Sequence, residues 1–173
     1  MAKNKANTGG SAVKTNALRT LDAKKIPHRI YTYEAPDGFL DGVSVAEALG
    51  LEAGRVLKTL VTQSAPGEYC VCVIPVAREL DLKKAARHFG VKRIEMLPAK
   101  DITKVTGYIK GGCSPVGMKK LFPTAVDRSA RSYETVVVSA GRVGVQMELS
   151  PQDLCLLTAA SFGDLAAEEK EMP

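Results

Sequence analysis

The chain contains no tryptophan, and aromatic residues make up only 5% of it. Rings so few and scattered exclude a surface on which successive bases stack. No apolar run approaches the length needed to span a bilayer, so no membrane is expected as a partner. The opening MAKNKANTGGSAVKT lacks the apolar centre of a signal peptide. Residues 1–13 therefore read as a short flexible arm, and the expected location is cytoplasmic. The four cysteines include no Cys-x-x-Cys spacing, and neither His28 nor His88 completes a ligand set, so no metal is expected. The phosphate-loop and dinucleotide fingerprints are also missing, which leaves a site that works without a cofactor.

What is there suits one soluble domain. At 173 residues, with 45% hydrophobic and 25% charged content, the chain is long enough to bury a core without disulfides. The domain is expected over residues 14–166, followed by a polar tail at 167–173. Charge is unevenly spread. Arg78 to Arg131 carries 13 Lys/Arg against 5 Asp/Glu, while the remainder carries 11 against 14. A basic half on a slightly acidic remainder suits either a solvated surface or a polyanionic partner, with nucleic acid the first candidate.

Hydrophobic period and turn chemistry predict the elements. Lys14 to Ile26 reads as an amphipathic helix stopped by Pro27, and His28 to Glu34 as a strand with Tyr31 and Tyr33 on one face. Ala35-Pro-Asp-Gly38 is a turn, Ser44-Val-Ala-Glu47 a capping box, and Gly50 the end of that helix. Arg55 to Thr62 and Tyr69 to Val76 form a hairpin around Ser64–Glu68. A basic helix follows from Leu80 to Phe89, capped by Asp81 and closed by Gly90. Arg93 to Met96 is a short strand, Pro98 to Val105 a helix, and Thr124–Asp127 and Thr135–Ser139 are extended. Ala140-Gly-Arg142 turns the chain into Val143–Leu149. Ser150, Pro151 and Asp153 start the last helix. The irregular order, with two hairpins, predicts an α+β fold: a mixed, largely antiparallel, curved or barrel-like sheet surrounded by helices.

Two features carry chemistry. The first is Gly107 to Pro123, which has four glycines, two prolines and no steady period, as in an ordered exposed loop. It is either a plain connection with solvated lysines or a backbone cradle for an anionic or carbonyl ligand. The second is Lys58 in Val56-Leu-Lys-Thr-Leu60, a strand apolar on both faces. There a lysine either snorkels at an edge or binds and polarises a ligand group. Alternation sends the Thr59 side chain to the opposite face, so its backbone amide rather than its hydroxyl is expected to help Lys58.

Lys58-Thr59, Leu80-Asp-Leu-Lys-Lys84, Gly107-Tyr108, Gly111-Gly-Cys-Ser-Pro-Val-Gly117 and Ser139-Ala-Gly141 occur in one order. Together they resemble the YbaK/prolyl-tRNA-synthetase-associated domain family of aminoacyl-tRNA deacylases, and most nearly its Cys-tRNA(Pro) deacylase branch. The resemblance spans Lys14 to Leu165 and implies a YbaK-like fold. It implies hydrolysis of the ester between a wrong amino acid and the acceptor end of tRNA(Pro), in company with prolyl-tRNA synthetase. If the cysteinyl thiol itself attacks the carbonyl, the reaction is formally a lyase step. Lys58 is then the catalytic lysine, and Tyr33, Phe39 and Thr59 border the substrate. Gly111, Gly112, Cys113, Ser114 and Pro115 form the substrate loop. Gln146 stands where some cysteine-specific members carry aspartate, and its neutral amide bears on amino-acid preference. Ala-tRNA(Pro) is the alternative substrate, and a noncatalytic module binding aminoacyl-tRNA or the synthetase is the alternative class.

Overall fold

The computed structural model describes residues 5–7, 14–36, 38 and 40–168. The hairpin of β3 (Leu57–Ala65) and β4 (Glu68–Pro75) is its scaffold. Val71 to Ile74 of β4 are fully buried. That continuous apolar run is what a strand covered on both faces requires. β4 is flanked by β3 on one side and by β6 (Thr124–Asp127) on the other, giving a sheet ordered β5-β3-β4-β6-β9. Its edges are β5 (Glu95–Met96) and β9 (Ser161–Gly163).

The second sheet is ordered β1-β2-β8-β7, from β1 (Lys5–Asn7), β2 (Arg29–Thr32), β8 (Val145–Leu149) and β7 (Val136–Arg142). A parallel bridge between Val56 and Val137 joins the two sheets. Among the described residues β4–β6 and β6–β9 pair parallel and the other ladders antiparallel, so the mixed, largely antiparallel expectation holds. β1 places Lys5–Asn7 of the amino-terminal arm against β2; the rest of the arm, and 169–173 of the tail, lie outside the described residues.

Helices cover both faces. α1 (Asn16–Ala23) and α5 (Pro151–Thr158) pack Leu18, Leu21 and Leu154 against Val71, Val73 and Val126. α3 (Leu82–Phe89) packs Ala85 and Ala86 on Cys72, Ile74 and Ala125 of the opposite face. Each such valine or leucine withdrawn from water contributes about 1.5–3 kcal/mol. The caps of α3 (Asp81, Gly90) and α5 (Ser150, with Pro151 at the first turn) are as expected.

Several boundaries differ from the expectation. α1 ends before Lys24 because Lys25 turns the chain at φ 54°, a conformation no glycine announces. α2 (Gly42–Leu49) is capped by Asp41, whose carboxylate accepts from the Ser44 amide at 2.8 Å; Ser44 is inside the helix rather than its cap. The segment expected as one helix from Pro98 is a 3-10 turn (Ala99–Asp101) leading into α4 (Ile102–Thr106). β7 runs on through Arg142, with an irregularity between Ser139 and Arg142, so the chain turns at Val143-Gly144 and not at Ala140–Arg142.

Candidate functional site

A cavity of about 490 Å³ opens where the two sheets part company along β3. β3 pairs with β4 throughout, but on its other side, among the described residues, it meets only the Val56–Val137 bridge at one end and β5 from Thr62 at the other. Val56 accepts from the Val76 amide, towards β4, whereas Val61 accepts from the Leu97 amide, away from it. Backbone direction alternates along a strand, so the N–H and C=O of Thr59 point out of the open edge. The cavity wall here is unpaired backbone.

Lys58 sits on this edge, half-buried, opposite Ile74. Among the described residues its ammonium has neither a hydrogen bond nor an ion pair. Burial lowers its pKa from that of a free lysine, and the exposed Glu79 carboxylate works in the opposite direction. Beside it, Thr59 Oγ1 is buried without a hydrogen-bond partner, the only such side-chain atom among the described residues. Alternation does place the Thr59 side chain on the face opposite Lys58. Both residues border the cavity because it wraps around the strand edge.

Other elements close the space. Tyr33 follows β2 and is buried in one cluster with Tyr31. Gln146 of β8 is buried, makes no side-chain hydrogen bond among the described residues, and faces the cavity beside Ser139 of β7. The first turn of α2 reaches the rim through Asp41, Gly42 and Val43. Only glycine fits at position 42, because a Cβ would lie 2.5 Å from Val76 Cγ1.

The Gly-rich loop supplies Lys110, Gly111 and Cys113. Gly111 has φ 85°, and a Cβ on Gly112 would meet the Val143 amide nitrogen at 3.0 Å, so the loop lies directly on the β7–β8 turn. Gly112, Ser114 and Pro115 are buried behind the cavity rather than bordering it. Ser114 Oγ accepts from the Val116 amide at 3.2 Å, and the Tyr108 hydroxyl donates to Val116 O at 2.6 Å, which fixes the loop from behind. Burial pushes the Cys113 thiol up to about 11, so it is no thiolate at neutral pH.

Lys58, Tyr33, Thr59, Gly111, Cys113 and Gln146 are thus brought together, and Phe39 lies outside the described residues. Sequence reasoning missed Lys110, Ile102 and the amino-terminal turn of α2. Lys110 was legible as a lysine inside the Gly-rich run; the approach of α2 had no local signal. The arrangement offers a half-desolvated cation and an outward amide around a pocket with unsatisfied polar groups, which suits holding and polarising a carbonyl. Among the described residues no three His, Cys, Asp or Glu side chains cluster to hold a metal, and no helix is long and apolar enough to cross a membrane.

Known proteins resemble this chain in sequence and in fold. The aminoacyl-tRNA editing domain family matches residues 41–156. EbsC of Enterococcus faecalis, a proposed Cys-tRNA(Pro)/Cys-tRNA(Cys) deacylase, is 46% identical over 156 residues, which cover 90% of this chain and 95% of its own. A proline–tRNA ligase of Pelobacter propionicus is 30% identical over 96 residues, 56% of this chain but 17% of the ligase. A crystal structure of a proposed trans-editing enzyme for prolyl-tRNA synthetase superposes with a TM-score of 0.76 at 23% identity, over 91% of this chain and all of that one. A hypothetical protein of known structure gives 0.79 at 24% identity over 88% of this chain and all of its own, and these two likenesses show the fold.

Proposed function

The chain belongs to the aminoacyl-tRNA editing domain family, and from that premise we propose that it is a cytoplasmic deacylase acting in trans on tRNA mischarged by prolyl-tRNA synthetase, with Cys-tRNA(Pro) as its substrate. The observation that carries the reading is the half-buried Lys58, which among the described residues has no hydrogen bond or ion pair and stands on a strand edge with no pairing strand. A lysine there has given up solvent without gaining an ion pair among the described residues, where the Glu79 carboxylate acts on it only from a distance. The missing partner is a group the substrate brings.

The ester carbonyl is placed against Lys58 Nζ and the outward Thr59 amide. A nucleophile adds to the carbonyl carbon, and the oxygen that becomes negative is met by these two donors, already in position before the charge develops. The tetrahedral centre then collapses, the bond to the terminal ribose oxygen breaks, and that oxygen takes up a proton as tRNA leaves. The nucleophile is either water or the cysteinyl thiol of the substrate. In the second case a small cyclic thioester forms, which water then opens to free cysteine. Cys113 is not needed as an attacking group, in keeping with its raised pKa. The amide of Gln146 supports a hydrogen bond to the aminoacyl group without adding charge.

Single-turnover deacylation of Cys-tRNA(Pro) and Ala-tRNA(Pro), by the protein and by Lys58→Ala, tests the reading. Release of cysteine by the first protein and not the second is expected. Faster release of alanine would move the substrate to Ala-tRNA(Pro). Binding of either tRNA with no release would make the domain a noncatalytic module. Prolyl-tRNA synthetase is the proposed source of tRNA selectivity, and equal deacylation of unrelated Cys-tRNAs in its presence would remove that role.

A further inference from the structure

A second cavity, of about 430 Å³, lies at the carboxyl ends of β6 and β9 and is lined by three arginines, Arg78, Arg128 and Arg131. It lies close to the first. Val76 borders the Lys58 cavity and Arg78 borders this one, so two residues of chain, at most about 7 Å, separate the two walls. Sheet register gives the same result. Lys58 pairs with Ile74, Val73 pairs with Val126, and Asp127 pairs with Gly163. Lys58 and Asp127 therefore fall on one row, two strands apart, which is about 10 Å.

The charges of this second cavity are arranged for an incoming anion. Asp127 keeps its charge but ties up none of the arginines, because its oxygens are engaged by neutral donors. Oδ1 accepts from the Leu165 and Ala166 amides at 3.1 and 3.0 Å, and Oδ2 from the amide and hydroxyl of Ser129 at 3.2 and 2.5 Å. Asp164 is shared between Lys84 at 3.1 Å and Arg128 at 3.8 Å, so its one charge faces two cations. Arg131 has no carboxylate partner among the described residues. Its guanidinium carbon lies 5.4 Å from the centroid of the Phe162 ring, which braces the group and leaves its N–H edge free. Arg78 spends Nε and one terminal nitrogen on Ala167 O, keeping the other terminal nitrogen. Ser132 adds an exposed hydroxyl.

We infer that this cavity is a phosphate subsite: it holds a backbone phosphate of the RNA strand just upstream of the nucleotide whose aminoacyl ester enters the Lys58 cavity. The inference rests on reading that cavity as the aminoacyl-ester site. It adds a second anchor that fixes the direction of the strand, with the acceptor end passing the Val76–Arg78 segment between the two pockets. Arginine suits the task because its planar fork matches phosphate oxygens.

Binding of an uncharged RNA hairpin carrying the tRNA(Pro) acceptor end, followed by fluorescence anisotropy across a salt series, tests this in the full chain. Arg128→Gln/Arg131→Gln is expected to weaken binding about tenfold and to flatten the salt slope by about one to two. Lys92→Gln/Arg93→Gln removes the same charge from a different loop and is expected to do much less; equal losses would reduce the cavity to part of a diffuse field and overturn the inference. Circular dichroism checks that both variants fold. Deacylation gives the second readout. Aminoacyl-adenosine, which lacks the upstream phosphate, is expected to react equally with both proteins, while the aminoacylated hairpin shows a raised KM and unchanged kcat in the arginine variant. Loss on both substrates would overturn the subsite. A protein that deacylates neither, yet loses hairpin binding in the arginine variant, would sink the enzyme reading and leave the subsite standing.

Discussion

Asp127 and Thr59 lie on β6 and β3 of one sheet, with β4 between them, and treat burial in opposite ways. Asp127 is buried, and four donors converge on its two oxygens. Burial works against its charge, but hydrogen bonds from Ser129, Ala166 and Leu165 outweigh it and hold the carboxyl below the usual range. At the β3 edge Thr59 Oγ1 is buried with nothing to bond, and Lys58 is half-buried with no counter-ion among the described residues. A buried polar group whose bonds are complete is an architectural joint; here it ties the chain after β9 to the end of β6. Polar groups left incomplete beside a cavity are out of keeping with a purely structural role and support the proposed site.

The contrast is broken most severely at Lys58. Lys58→Ala is expected to lower single-turnover deacylation by at least about 10²–10³-fold, the scale for losing one donor to a developing oxyanion. Its melting temperature should stay level or rise, since no partner is left behind; a marked fall in stability would make Lys58 a structural lysine instead. Asp127→Ala should do the reverse. Removing the acceptor strands buried amides and is expected to cost about 3 kcal/mol in denaturant unfolding, with turnover per folded molecule little changed. The same carboxylate sets an acid limit. Because its folded pKa is depressed, its contribution is complete above the unfolded carboxylate range and is lost as pH falls through the folded value. Asp127→Asn should flatten the acid limb of stability against pH.

Smaller effects sharpen the comparison. Thr59→Val removes the orphan hydroxyl at nearly constant shape and should stabilise by about 1 kcal/mol, raising the melting temperature by about 2–4 °C. An unchanged or lower value would mean the hydroxyl already has a partner in solution. The slightest test is pH. If Lys58 acts as an ammonium, its lowered pKa makes the catalysed rate fall as pH rises through a value below that of free lysine, after subtraction of uncatalysed hydrolysis. A rate that rises through the same range would make Lys58 the base. For folding the sign is opposite: the desolvated ammonium burdens the folded state below that pKa and is relieved above it.

Much of this was legible along the chain, because caps and turns are written locally. Asp81 and Gly90 bound α3, and Ser150 with Pro151 starts α5, each through one side chain or one permitted φ. Ser44 misled because Ser44-x-x-Glu47 has the spacing of a capping box, while Asp41 lies three residues nearer the true start of the helix. Gly141 misled in another way. Its φ of 98° is spent inside β7, where the ladder is irregular, and the turn falls to Gly144. The site was legible as residue types and not as a surface. Alternation correctly separated Lys58 from Thr59. That a cavity would wrap the strand edge and use both depends on Val56 meeting Val137, a contact across 81 positions that no local pattern records.

The open edge of β3 bears on solubility as well as chemistry. From Val56 to Val61 the strand reads Val-Leu-Lys-Thr-Leu-Val, and among the described residues its central ones have no neighbouring strand on the cavity side. Unpaired backbone flanked by β-branched and aliphatic side chains invites another copy to add itself as the next strand, and a lysine is the common guard against that. Lys58 is therefore expected to serve as a gatekeeper there whenever the elements around the cavity move aside. An alanine in its place leaves six residues with no charge at all, so Lys58→Ala should also be the variant that precipitates first on concentration, and arginine there should keep the solution clear.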